Sequence, residues 1–472
     1  MRHLSFERDR QFEKSEAERR ATVFGLRRRE FLLGGVSLAL SGLRASQSLA
    51  STDSVASATA AFWLGCHNSA QTGVAYRIPA GVTTIYSTWI PDGTIVVGIP
   101  GQSIIQNTQG LAAVFGRNAA KIVIESLIFD GAGVKPQIAS QGLLDFEGVT
   151  TFHLNDVTVR NAGGVGISNW KSGGHILDCT IKNVGDAGYH SLDGLGVVIG
   201  RDGNGNLIKN CGNAGIQIWT SVLWAVDGSL VQNNTINNIL AVSGGEGEYG
   251  NGVNVYLAGE VTVDNNNING CAFSAVRNSS GLDFVATDNV CTNSGERAMW
   301  AELQFKNARF QNNTISVAGA GLSLTNFDRT ANTGCGGSAI GNTISGLHAT
   351  DPDADWKNNP VSNAAMVGIE AEGDIQVTGN KIFGPSRIGI QCGFGPALAN
   401  VNCESNTVEG AQYGVGFATQ SPAGPAMISQ NHFIGCTVAK IVSMNSSGVT
   451  SGDLFGQKSP YAPVTIGVNY AS

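Results

Sequence analysis

The sequence predicts an all-β chain wound into a parallel β-helix, a solenoid of roughly 12 coils. Three observations carry that prediction. The first is a recurring corner, Asn-x-Ile/Val: Asn234-Thr235-Ile236, Asn266-Asn267-Ile268, Asn313-Thr314-Ile315, Asn342-Thr343-Ile344, Asn380-Lys381-Ile382 and Asn406-Thr407-Val408, with Asn431-His432-Phe433 closing the series. Weaker versions end at Ile128, Val159, Ile181, Ile208 and Val290. Steps between these apolar residues run from 22 (Val159 to Ile181) to 32 (Ile236 to Ile268), with one of 38 (Ile344 to Ile382). A repeat of that size is one supersecondary unit stacked on itself.

The second observation is a short Gly-led strand that follows the corner, as in Gly166-Ile167, Gly215-Ile216, Gly252-Val253, Gly321-Leu322, Gly368-Ile369, Gly389-Ile390 and Gly414-Val415. The third is that no amphipathic run of helical length separates the corners, which excludes the helical repeat families. Short β segments joined by Gly, Asn and Asp corners are the turns of a coil. An Asn repeated at one corner can build a hydrogen-bonded ladder up the stack.

The corner Asn, strand and Gly-strand pattern resembles the pectin-lyase-like right-handed β-helices. More narrowly, the chain resembles the Tat-translocated repetitive β-helix family of exported bacterial proteins. The segments that carry this are Gly250-Asn251-Gly252-Val253-Asn254-Val255-Tyr256, Ala298-Met299-Trp300-Ala301-Glu302, Thr325-Asn326-Phe327-Asp328 and Gly393-Phe394-Gly395-Pro396. The resemblance implies a right-handed coil and export. It transfers no catalytic residues, because that family has no established activity.

The N-terminus points to export independently. Arg28-Arg29-Glu30-Phe31-Leu32 is a twin-arginine signature followed by an apolar run to Leu43, too short to span a bilayer. Ser48-Leu49-Ala50 offers a cleavage site, with Ala56-Ser57-Ala58 an alternative. The expected partner in export is the Tat translocase, and the expected destination is the periplasm or the medium. No other stretch has transmembrane length, so no membrane span is expected after processing. Residues 1–50 hold 10 Lys/Arg and 6 Asp/Glu, so removing this +4 segment from a chain of −7 leaves −11. Such an acidic surface disfavours nucleic acid. It also weakens the case for polyuronates, unless Ca²⁺ or a local basic patch mediates.

Domain organisation follows: 1–50 signal peptide, 51–60 Ser/Ala/Thr-rich linker, 61–110 N-terminal cap and first coils, 111–450 β-helix, 451–472 C-terminal tail. Insertions at 243–250 and 347–364 lengthen their coils, and long loops on a rigid scaffold are where function concentrates. The nine cysteines show no zinc spacing and are expected to fill the core. Cys211, Cys271 and Cys436 share one phase of the coil, three residues past the corner, and export permits a disulfide between neighbouring coils.

Aligning the Gly-led strands on their first apolar residue sends the next residue and the third outward, by the period of two. One outward column reads Ser168, Gln217, Asn254, Arg277, Trp300, Ser323, Glu370, Gln391. The other reads Trp170, Trp219, Tyr256, Ser279, Glu302, Thr325, Glu372, Gly393. This face is expected to expose Trp170, Trp219, Tyr256 and Trp300, with Glu372, as a platform for sugar rings. Arg277, Glu302 and Glu370 are the candidate catalytic groups. Glu302 and Glu370 lie two coils apart, about 10 Å, near the separation of an inverting glycosidase. Arg277 could neutralise a uronate for a lyase.

A second candidate cluster is Tyr189, His190 and Asp193. It resembles the Tyr, Asp and His group of β-helix uronate epimerases, in a different order. Asp202-Gly203-Asn204-Gly205-Asn206 resembles a calcium-loop fragment but lacks the regular acidic spacing and the terminal Glu, and is read as a plain turn. No cofactor is evident, though Ca²⁺ remains compatible. No P-loop, Rossmann fingerprint, HExxH or nucleophile elbow is present, and the paired Asp-Asp signature of β-helix polygalacturonases is missing. Two functions fit: a non-catalytic β-helix that binds polysaccharide or another envelope component, or a glycan-active lyase, hydrolase or epimerase.

Overall fold

The computed structural model describes residues 53–244, 247–325, 335–348, 366–384 and 386–472. The leader, including Arg28 and Arg29, lies outside the described residues, as do most of the 347–364 insertion and the segment after Thr325. Helix α1 runs from Ser54 to Thr72 and so begins within the 51–60 segment. Asp53 caps it, accepting the Val55 N–H at 3.0 Å. The stretch from Val55 to Leu64 contains no Gly or Pro and is rich in Ala, which lets a helix form without a strong apolar stripe. From Phe62 onward the helix buries Phe62, Cys66 and Ser69, and the Ser69 hydroxyl donates to the Ile95 carbonyl at 2.9 Å.

The rest of the described residues are strand and corner. About 13 turns stack in parallel, one more than the corner motif alone indicates. Among the described residues, the antiparallel pairings are the hairpin of Ala439–Asn445 with Gly448–Val449 near the C-terminal end and an isolated bridge between Phe394 and Ala397. Most coils contribute three strands, and in two of them the second and third run together as Val290–Glu302 and Thr314–Thr325. The first column is a 15-stranded sheet that runs from Tyr76–Arg77 through Lys121–Glu125 and Ile375–Thr378 to Val464–Ile466. The second column carries the corner motif, for example Thr235–Ile239 and Thr407–Glu409, and the third carries the Gly-led strands, for example Ala214–Trp219 and Asn251–Tyr256.

The corner asparagines form a continuous internal ladder of Asn206, Asn234, Asn266, Asn289, Asn313, Asn342, Asn380, Asn406, Asn431 and Asn469. At each step the main-chain N–H and the side-chain amide of one Asn both donate to Oδ1 of the next, at 2.8–3.1 Å. Oδ1 of Asn206 accepts the Cys179 N–H, where the series stops. Two corners differ from the sequence reading. Cys291, not Val290, pairs with Ile268 and points inward, and Phe129, not Ile128, pairs with Val159. In both coils the apolar residue sits one position later than the motif suggests.

The Gly that leads the third strand is there for close approach. A Cβ on Gly215 would lie 2.5 Å from the Gly252 carbonyl oxygen and 2.8 Å from Cγ2 of the corner residue Ile236. Seven of the nine cysteines are buried and all nine are free. Burial pushes the Cys211 and Cys271 thiols up to about 12, so they behave as small apolar fillers. Cys436, expected in the same inward phase, is only half-buried.

Candidate functional site

The register of the third column matches the alignment made from sequence. Gln217 pairs with Asn254, Asn254 with Arg277, Arg277 with Trp300, Trp300 with Ser323, Ser323 with Glu370, and Glu370 with Gln391. Trp219, Tyr256, Ser279, Glu302 and Thr325 form the neighbouring outward column. The alignment skipped one coil. Ala187–Leu192 lies between the strands of Trp170 and Trp219, placing His190 in the first column and Leu192 in the second. Its inward residue is Tyr189 rather than an aliphatic one, and that hides the repeat.

The columns also extend toward the N-terminus. Trp89 pairs with Phe115, Phe115 with Asp145 and Asp145 with Ser168, while Arg117 pairs with Glu147 and Glu147 with Trp170. Arg117 bridges Asp145 and Glu147, the latter at 2.8 Å, and its guanidinium lies over the Phe115 ring. The Ser168 hydroxyl donates to Asp145. Sequence reasoning missed these residues because the early strands, such as Val114–Arg117, do not open with Gly followed by an aliphatic residue.

The middle of the face is closed rather than open, which corrects the expectation of an exposed Trp300. Trp300 is 7 % exposed, and Arg277, Glu302 and Glu370 are equally buried. Arg277 makes a two-pronged pair with Glu302, Nε to Oε1 at 2.7 Å and Nη2 to Oε2 at 3.0 Å, and reaches Glu296 at 3.2 Å. Arg297 holds Glu370 at 2.9 Å and approaches Glu296 from the other side. The two guanidinium carbons sit 4.3 and 4.4 Å from the Trp300 ring centre. Burial works against the Arg297 charge, but the Glu370 and Glu296 carboxylates outweigh it and hold its pKa above the ordinary arginine value. Ser279 and Ser323 donate to Glu302 at 2.7 Å and Glu370 at 3.0 Å, and the indole N–H of Trp300 donates to Thr325.

These groups therefore satisfy one another, and Glu302 and Glu370 are not presented to solvent as an acid and base pair. Glu372 is also buried. The 243–250 insertion adds to the cover. The Gly247 carbonyl accepts the Asn251 and Asn254 amides, both at 2.9 Å, and the Glu248 carbonyl accepts Gln217.

Toward the N-terminus the face opens. Trp170, Leu192, Trp219 and Tyr256 occupy one outward position on four successive coils, all half-buried. Trp219 meets Tyr256 edge-on at 5.8 Å and His190 at 5.2 Å, and its indole N–H donates to Asn254. Lys171 lies over the Trp170 ring at 5.1 Å. At the usual strand spacing the row is about 14 Å long.

The second candidate cluster does not converge. Tyr189 and His190 are consecutive strand residues and point to opposite faces. Tyr189 is fully buried, its hydroxyl accepting the Asn169 amide at 2.9 Å, and burial raises its pKa. His190 faces outward onto Gln217 at 3.0 Å. Asp193 sits at the corner and accepts the Ser221 N–H and hydroxyl. The calcium-loop fragment is a turn of the same kind, with Asp202 accepting the Asn233 amide. Among the described residues, no three His, Cys, Asp or Glu side chains converge to hold a metal.

The interior near Tyr189 holds Asp227, whose pKa is raised by burial and by the nearby Asp193 carboxylate. The folded chain thus keeps a proton that the unfolded chain releases near pH 4. This residue's contribution to stability is full below that value and is lost as pH rises through its higher folded pKa. Asp227→Asn is expected to flatten this part of the stability curve and to match or exceed wild type at pH 8. Urea midpoints from pH 4 to 8 check it.

A right-handed β-helix family model matches residues 165–335. The fold is a right-handed parallel β-helix. Among solved structures, this β-helix is similar to the Azotobacter vinelandii mannuronan C-5 epimerase A-module, with 14 % identity, 80 % of this chain and 96 % of that one covered, and a TM-score of 0.50. An alginate lyase solved with a trisaccharide shares 13 % identity over 90 % and 94 %, at 0.46. A surface adhesin of Streptococcus pneumoniae shares 12 % over 73 % and 85 %, at 0.41. At these identities the likeness is one of fold alone. No protein of curated function matches the chain by sequence.

Proposed function

We propose that this β-helix is an exported glycan-binding protein whose ligand lies along the outward face of the third strand column. The observation that carries the reading is the row of Trp170, Leu192, Trp219 and Tyr256, half-open to solvent on a rigid sheet. Such a row offers flat apolar faces for sugar rings and polar edges for their hydroxyls. Binding is favoured over turnover because Arg277, Glu302 and Glu370 are ion-paired and buried, whereas an acid or base must reach the bond it acts on. Asp145, Glu147 and Asp193 border the row and weigh toward neutral over polyuronate chains. The twin-arginine leader makes the periplasm or the exterior the place of action. No helix among the described residues is long and apolar enough to cross a membrane.

The test uses chain beginning at Ser51, with and without Ca²⁺, against a panel of neutral and acidic polysaccharides, read by affinity electrophoresis and mass spectrometry. Trp170→Ala and Trp219→Ala are each expected to weaken binding at least tenfold, about 1.4 kcal/mol, with the β-sheet signal in circular dichroism retained at the assay temperature. Unchanged binding in both variants would move the site off this face. Release of oligosaccharide products by the wild-type chain would replace the reading with that of a glycan-active enzyme.

A further inference from the structure

The register stacks one pair of inward positions coil after coil, the last inward residue of a third-column strand and the middle inward residue of the first-column strand that follows. Up the C-terminal part of the stack this pair reads Leu324 and Ala339, Ala371 and Val377, Cys392 and Cys403, then Phe417 and Ile428. At one level of the stack, therefore, two thiols occupy positions that the levels on either side give to hydrocarbon. Both are 0 % exposed. The Cys403 thiol is held well above the ordinary thiol pKa by the neighbouring Cys392 thiol and by burial, and it meets the Asn406 amide at 3.6 Å and Asn431 Oδ1 at 3.8 Å, beside the ladder.

We propose that Cys392 and Cys403 are a disulfide-forming pair that locks the third strand of this coil to the first strand of the turn above the 393–400 corner. The cross-link differs from one between equivalent positions of neighbouring coils, because it joins two strands consecutive in sequence across the 393–400 corner and no coil-to-coil register has to shift. The chemistry is thiol–disulfide exchange with an exogenous disulfide. One cysteine, as thiolate, attacks a sulfur of the oxidant and releases the first thiol. The second cysteine then attacks the mixed disulfide and releases the other, so the two cysteines lose two protons and two electrons and the oxidant becomes two thiols. With no solvent access to either sulfur in the folded coil, exchange occurs while the coil is open, so the bond records the redox state in which the chain folds.

The experiment unfolds the chain from Ser51 in urea with dithiothreitol, refolds it in a mixture of oxidised and reduced glutathione, and blocks remaining thiols with N-ethylmaleimide. Chymotrypsin, which cuts after Phe394, then separates the two cysteines unless they are bonded. The expected result is a linked pair of peptides carrying Cys392 and Cys403, with the other seven cysteines blocked. The oxidised protein should also show a higher urea midpoint than the reduced one, and Cys392→Ala should abolish both the linkage and the difference. Circular dichroism of Cys392→Ala shows whether the variant folds, and Cys403→Ser provides a second variant with the same expected loss. Both cysteines blocked in the refolded wild type, or linked to other partners such as Cys271 or Cys291, would overturn the proposal.

Discussion

Asn342→Leu is expected to lower the stability of the β-helix by about 2–5 kcal/mol, read as a fall in the urea midpoint. Asn342 Oδ1 accepts both the main-chain N–H and the side-chain amide of Asn313, and its own amide donates to the Phe310 carbonyl and to Asn380. Leucine fills the space, yet it leaves the Asn313 N–H without an acceptor in the dry core and removes a donor from Phe310. Each orphaned buried group costs about 1–3 kcal/mol. The exposed asparagine row gives the contrast. Asn210 donates to Asn183 and accepts from Asn238 at the surface, with φ of 55°. Asn210→Gly keeps that backbone comfortable and is expected to change stability by less than about 0.5 kcal/mol. Equal effects at the two sites would mean that the internal ladder contributes no more than a surface hydrogen bond.

Arg277→Met is expected to destabilise the fold by about 3–5 kcal/mol, because it leaves Glu302 buried with only the Ser279 hydroxyl to stabilise its charge. The guanidinium also stacks on Trp300, so the variant loses a desolvated cation–π contact worth about 2 kcal/mol as part of the same change. The double variant Arg277→Met/Glu302→Leu should recover much of the loss, since it removes both charges from the interior. A single variant that keeps wild-type stability while losing a glycan-dependent activity would assign Arg277 a functional role instead. Urea denaturation of the three proteins, alongside the glycan assay, separates these outcomes.

The parts of this structure that repeat were legible in the sequence, and the parts that depend on one coil were not. The corner asparagines announced the ladder because a side chain bonded to its own copy must recur in register. The Gly-led strands fixed the alternation well enough to place Arg277, Trp300 and Glu370 in one column. Burial was not legible. The same outward position can lie open, as at Trp219, or under cover, as at Trp300. The difference rests on partners that interrupt the motif, Glu296 and Arg297, and on the loop around Gly247. The Tyr189 coil was passed over because its core residue is aromatic and hydrogen-bonded to Asn169. Helix α1 was missed because a helix rich in Ala and Ser shows little periodic contrast.

The direction of the asparagine ladder has a mechanical consequence. Its bonds, like the main-chain bonds of all three columns, run along the solenoid axis and join each coil only to the next. A pull along that axis therefore loads the coils in series, so the rod yields at its weakest junction and peels from there. A load across the axis bears on many coils at once, so the same stack that peels from an end resists being crushed or sheared along its side.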